Sequence, residues 1–167
     1  MPLLVRDVTP ADIPAAAAIY DQCVRETVAT FDTDQRGTAY LGSALAGLGP
    51  LDHFLVADDG GVVLGYALSS SYRPRPGYAG TRETSVYVTT AARGRGVGSR
   101  LYGDLIGRLD AAGAHTLVAV VARPNDASEA LHRSLGFELV GVLREVGHKF
   151  GTWVDTALYQ RFPPPSP

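Results

Sequence analysis

Apolar positions along the chain change their period several times, and each change marks an element. A short strand is expected around Leu3 to Asp7. Thr9, Pro10 and Asp12 then read as a helix start, with a capping hydroxyl, a residue whose φ is already helical and a carboxylate in the first turn. Ile13, Ala16, Ala17, Tyr20 and Val24 recur at helical spacing, so that stripe faces a core. Thr27 to Asp34 is a loop containing Phe31, and Gln35 to Leu48 is a shorter helix weakened by its glycines. His53 to Ala57 and Val62 to Ser70 are strand-like runs joined by Asp58-Asp59-Gly60-Gly61, a strong hairpin signal.

Ser71 to Arg82, SYRPRPGYAGTR, holds two prolines and two glycines that exclude regular structure, and it presents Arg73, Arg75 and Tyr78. A recognition loop and a solvated connector would both look so. Glu83 to Val88 alternates as a strand, with Glu83, Ser85 and Tyr87 on one face. A turn rich in Gly and Arg follows, and from Val97 the apolar positions Leu101, Tyr102, Leu105, Ile106 and Leu109 share a helical face that ends at Gly113. Thr116 to Val121 reads as a buried, parallel central strand, so strand, crossover and strand make a βαβ unit. Asp126 with Glu129 three residues on reads as a capping box, opening a helix whose inner face is Ala130, Leu131, Ser134 and Leu135. Gly136 stops that helix, and Phe137 to Val146 and Trp153 to Arg161 alternate as a closing antiparallel pair. The reading is one α/β domain with a mixed sheet over residues 1–162, and a disordered Pro-rich tail at 163–167.

Composition narrows the partners. A chain of 167 residues, 46% hydrophobic and 19% charged, has the size and make-up of one self-sufficient globular domain. A net charge of -2 offers no broad basic field to nucleic acid, and no apolar stretch reaches the roughly 20 residues of a membrane span. Cys23, the single cysteine, excludes an internal disulfide and a multi-cysteine metal site and suits a reducing cytoplasm. It is either a reactive thiol or a small buried side chain, and no base stands near it in sequence.

The chemistry centres on the turn between Val88 and Leu101. Backbone N–H groups from Gly94 to Ser99 lie where a helix begins and lack helical partners, and the helix dipole favours an anion there. No GKS or GKT follows, so an ATP-type loop lacks its lysine, and no acidic residue stands where a dinucleotide ribose needs one.

Arg93, Gly96 and Gly98 match the pyrophosphate loop of the GNAT superfamily of acyl-CoA N-acyltransferases, which the chain resembles from Leu3 to Phe162. Asn125, Ser128 and Leu135-Gly136-Phe137 are similar to the second coenzyme segment of that family. VATFDTD, RETSVYV, ARPNDASEALHRSLGF and GHKFGTWVD look like the phosphinothricin acetyltransferase branch, whose members acetylate the amino group of small amino-acid analogues. The resemblance implies antiparallel N-terminal strands, a splayed parallel central pair, flanking helices, and acetyl-CoA as co-substrate without a metal.

It also implies roles. Val86, Tyr87 and Val88 would lie along the pantetheine arm, Arg93, Gly94, Arg95, Gly96, Val97, Gly98 and Ser99 would hold the pyrophosphate, and Asn125 and Ser128 would close the far side. Glu83 would be a general base, needed because an amine of pKa near 10 is mostly protonated at neutral pH. His132 stands where the wider superfamily commonly has Tyr as acid; it would protonate the leaving thiolate, bond the sulfur, or merely pack. Phe31, Arg73, Arg75 and Tyr78 would form the acceptor pocket, with guanidinium gripping a carboxylate or phosphinate. His148, Lys149 and Trp153 are either pocket and dimer contacts or an ordinary hairpin. The expected partners are a small-molecule amine and a second copy in a homodimer. Acetylation of a protein N-terminus, a lysine or a polyamine, and a non-catalytic acyl-CoA sensor, remain alternatives.

Overall fold

The computed structural model describes residues 3–164. Seven strands, β1 (Leu4–Asp7), β2 (Phe54–Asp59), β3 (Val62–Ser71), β4 (Thr81–Val88), β5 (Thr116–Ala122), β6 (Glu138–Lys149) and β7 (Thr152–Arg161), form one sheet in the order β1-β2-β3-β4-β5-β7-β6. The helices are α1 (Ile13–Glu26), α2 (Gly37–Ala46), α3 (Val97–Ala111) and α4 (Asp126–Ser134). Alternation places one face of the sheet in each of two cores. In β2, Leu55 and Ala57 join α3, while Phe54 and Val56 join α1 and α2.

The N-terminal elements follow the sequence closely. The Thr9 N–H and hydroxyl both donate to Asp12 Oδ2 at 2.8 Å, and Arg6 forks onto the same carboxylate at 2.7 and 2.8 Å. Those bonds hold the Asp12 carboxyl far below the usual range. Pro10–Asp12 forms a single 3-10 turn, so α1 begins at Ile13. Between β2 and β3, Gly60 and Gly61 take φ of +65° and +92°, a turn that only glycine enters without strain.

α4 departs from expectation. Its cap is Asn125, whose side chain accepts from the Ser128 N–H at 3.2 Å, and Asp126 is the first helical residue. Ala130 and Ser134 are exposed, and the buried residues are Glu129 and His132. Instead of closing a capping box, Glu129 accepts from Arg123 at 2.6 and 2.8 Å, Arg133 at 2.7 Å and Tyr159 at 2.6 Å, and its carboxyl is held down to about 2. A polar inner face satisfied largely by Arg123 and Tyr159 from outside the helix is invisible to an apolar-periodicity argument. Of the expected tail, residues 165–167 lie outside the described residues.

The central seam positions the site. β4 and β5 pair in parallel through only three positions, Thr81 with Thr116, Arg82 with Leu117 and Glu83 with Val118. β4 nevertheless stays paired with β3 as far as Val88, and β5 with β7 as far as Ala122. Beyond Glu83 the two strands therefore splay, leaving main-chain groups of each facing a gap. Val120, expected within a buried strand, is 46% exposed because it lies in this gap.

Candidate active site

A cleft of about 890 Å³ opens at the splay. Val86, Tyr87 and Val88 from β4, Arg93, Gly94, Gly96, Val97, Gly98 and Ser99 from the turn and α3, and Asn125, Ser128 and His132 from the cap and body of α4 all line it. Arg95 does not; its guanidinium is 3.8 Å from Asp59 and largely exposed.

Local structure explains the cradle. Gly94 and Gly96 have φ of +71° and +75°, so the chain turns sharply into α3 with no side chain in the way. A Cβ on Gly98 would come within 3.8 Å of Leu131 and Val88, which places the first turn of α3 close against both walls. The first helical N–H groups, of Val97, Gly98 and Ser99, have no preceding turn to bond to, and these residues line the cleft beside Arg93, whereas the Arg100 N–H already bonds the Gly96 carbonyl at 3.1 Å. That set fits a linear anion, and the unpaired strand edges fit an amide-bearing arm running away from it.

His132 is fixed by its surroundings. Its Nδ1 donates to the Ser128 carbonyl at 2.7 Å, and Tyr102, Phe137 and Tyr159 enclose the ring at centroid distances of 5.1 to 5.7 Å. Burial lowers its pKa, so the ring is neutral near pH 7 with Nε2 as its free acceptor. Cys23 also lines the cleft, but burial raises its thiol pKa and keeps it protonated and unreactive.

Glu83, Phe31, Arg73, Arg75 and Tyr78 lie outside the cleft lining. Glu83 is the last paired residue of the seam, one position before the first β4 residue of the cleft. Its half-buried carboxylate has no hydrogen-bond partner among the described residues; burial raises its pKa and Arg73 partly offsets that. Arg73 covers the Tyr72 ring at 5.0 Å, Tyr72 meets Tyr78 edge-on at 5.6 Å, and Arg75 is exposed. Phe31 lies apart from this loop, on Gly147 of β6.

Sequence reasoning missed several residues. Arg82 is buried beneath the Arg73 loop, donating to Ser71 Oγ at 2.8 Å and to the Ala79 carbonyl at 3.0 Å, with its Nε 3.5 Å from Asp52. It therefore ties both ends of that loop together. Phe150 and the Thr27–Ala29 turn add a wall to the cleft. His148 and Trp153 are exposed and face each other at 4.9 Å, whereas Lys149 is buried.

A parallel pair parted over a helix-start anion cradle defines an acyl-CoA N-acyltransferase. Residues 17–137 match the Acetyltransferase (GNAT) family; the chain belongs to it and is an acetyl-CoA-dependent N-acetyltransferase. It is 42% identical over 162 residues to the phosphinothricin N-acetyltransferase of Streptomyces coelicolor, with 94% of each chain covered. It is 40% identical over 161 residues to the L-methionine sulfoximine/L-methionine sulfone acetyltransferase of Pseudomonas aeruginosa, covering 93% of this chain and 92% of that one. Among solved structures, a phosphinothricin acetyltransferase from Sinorhizobium meliloti in complex with acetyl-CoA superposes with a TM-score of 0.92 at 37% identity, over 97% of this chain and 89% of that one.

Proposed function

We propose that the enzyme acetylates the α-amino group of a small amino-acid-like acceptor of the phosphinothricin or methionine sulfoximine kind, by direct transfer within a ternary complex. The observation that carries this reading is a half-buried, unpartnered carboxylate at the mouth of the coenzyme cleft, with an arginine-bearing loop just before it in the chain. The N–H groups from Gly94 to Ser99 and the Arg93 side chain hold the pyrophosphate. The free edges of Val86 to Val88 and the amide of Asn125 hold the pantetheine, and Ser128 fixes His132. Arg75, Arg73 and Tyr78 grip the acceptor's acidic group, and Phe31 walls its side chain.

Acetyl-CoA supplies an acyl group activated as a thioester. Glu83, directly or through one water, takes a proton from the acceptor ammonium, and the free amine attacks the thioester carbon. His132, neutral with its Nδ1 hydrogen committed to Ser128, presents Nε2 to the sulfur region. As the new C–N bond forms and the C–S bond breaks, Nε2 takes the second proton that the attacking nitrogen sheds and passes it to the departing thiolate, leaving a neutral amide and a thiol. Cys23 takes no part.

Residues 1–162 act as one catalytic domain, in a cytoplasmic setting that suits a lone buried thiol. No helix among the described residues is long and apolar enough to cross a membrane. A homodimer is supported by β6, an edge strand on which Leu139, Val140, Leu143 and Val146, with Trp153 beside them on β7, are each 46% exposed or more.

Thiol release measured with a panel of amino acids, their decarboxylated amines, polyamines and N-terminal peptides tests the acceptor assignment. Wild type should favour carboxylated small acceptors, and Arg75→Ala should raise their KM on the order of tenfold or more, the worth of one charge-assisted bidentate contact, while sparing the amines. Equal loss for both groups would remove the clamp, and coenzyme binding with no release above background would make the chain a sensor.

A further inference from the structure

The loop bearing Phe31 is held by a part of the chain more than a hundred residues away. Lys149 of β6, 3% exposed, donates from Nζ to the Thr30 carbonyl at 2.7 Å. Tyr20 of α1 contacts the Thr30 hydroxyl at 2.8 Å and donates to Asp32 at 2.6 Å. The residues on either side of Phe31 are thus both anchored, Thr30 through its carbonyl and hydroxyl and Asp32 through its carboxylate. The ring rests on Gly147: a Cβ built there would stand 2.8 Å from Phe31 Cδ1 and closer still to Cε1 and Cζ. Any side chain at 147 must displace the ring. Gly147 has no positive φ, so its backbone accepts alanine, and Phe31 is 36% exposed and can rotate outward.

We propose that Gly147 is a specificity-determining position of this enzyme: by leaving room for the Phe31 ring, it sets the width of the acceptor pocket from the far edge of the sheet. This rests on the reading of Phe31 as a pocket wall. Gly147 touches no reacting atom and acts through Phe31, so it is a positioning residue. The glycine is needed for the absent side chain and not for conformational freedom.

A double-mutant cycle tests the coupling, using whichever panel acceptor the wild type turns over fastest. Gly147→Ala should raise acceptor KM about tenfold, within the range for misplacing a substrate-positioning group, with acetyl-CoA KM and thermal midpoint unchanged. In a Phe31→Ala background the same substitution should change acceptor KM less than twofold, because the ring it displaces is gone. Gly147→Ala without effect, alongside a Phe31→Ala that raises acceptor KM, overturns the inference and leaves the pocket reading intact. Equal penalties in both backgrounds also overturn it, since Gly147 would then act by another route. A Phe31→Ala that leaves acceptor KM unchanged removes the pocket reading and the inference together.

Discussion

A carboxylate that is half-buried and lacks a donor, as Glu83 is, keeps its proton to higher pH than glutamate in water. The acidic limb of kcat/KM should therefore fall as pH drops through a value above the ordinary 4.5, as the base becomes protonated. Stability runs the opposite way. The folded state binds this proton more tightly than the unfolded chain, so the favourable contribution is complete below the unfolded pKa and is lost as pH rises through the raised one. Glu83→Gln should keep acetyl-CoA affinity, lose turnover at neutral pH, and melt no lower than wild type at pH 7.5. Calorimetric titration, steady-state assays and thermal melts read these three; undiminished turnover would remove Glu83 from the mechanism. His132 has the reverse sign, its lowered pKa withdrawing stability as pH falls below about 6.5.

At the scale of elements, the sequence showed most where one segment carries its own explanation. The glycine turn into α3 was legible because Gly94, Gly96 and the apolar stripe from Val97 lie side by side in the chain. α4 was legible as a helix and misread in its faces, since Glu129 and His132 are buried by Arg123, Tyr159, Tyr102 and Phe137 from elsewhere. Arg82 looked like the end of a loop, and its role appears only once Asp52, Ser71 and Ala79 surround it. β6 read simply as a closing strand, but it is an edge strand broken by irregularities after Leu139 and after Leu143, and Leu139, Val140, Leu143 and Val146 stand exposed along it beside Arg144 and Glu145. Leu143→Asp should convert a dimer into a monomer in sedimentation velocity at micromolar concentration, and a monomeric wild type would dismiss the pairing.

Over the whole molecule, order of elements and approximate bounds followed from period changes, because a hydrophobic face reports its own partner layer. The contacts that hold the Phe31 loop did not, since Lys149 reaches Thr30 across 119 positions and no local pattern encodes that reach. The same scale gives the β4–β5 seam its meaning. Two half-sheets, β1 to β4 and β5 to β7, share three rungs, and the rest of their facing edges stand unpaired. A bound pantetheine arm would supply partners along one of those edges. Acetyl-CoA at about 100 times its Kd should stabilise the fold by about 2.7 kcal/mol. Slowed amide exchange in Val86 to Val88, with little change in β1 and β2, would localise that gain to the seam; uniform slowing would contradict it. On this view the donor is a temporary splint: the enzyme mends its own sheet each time it loads, and each release of product leaves it again jointed in the middle.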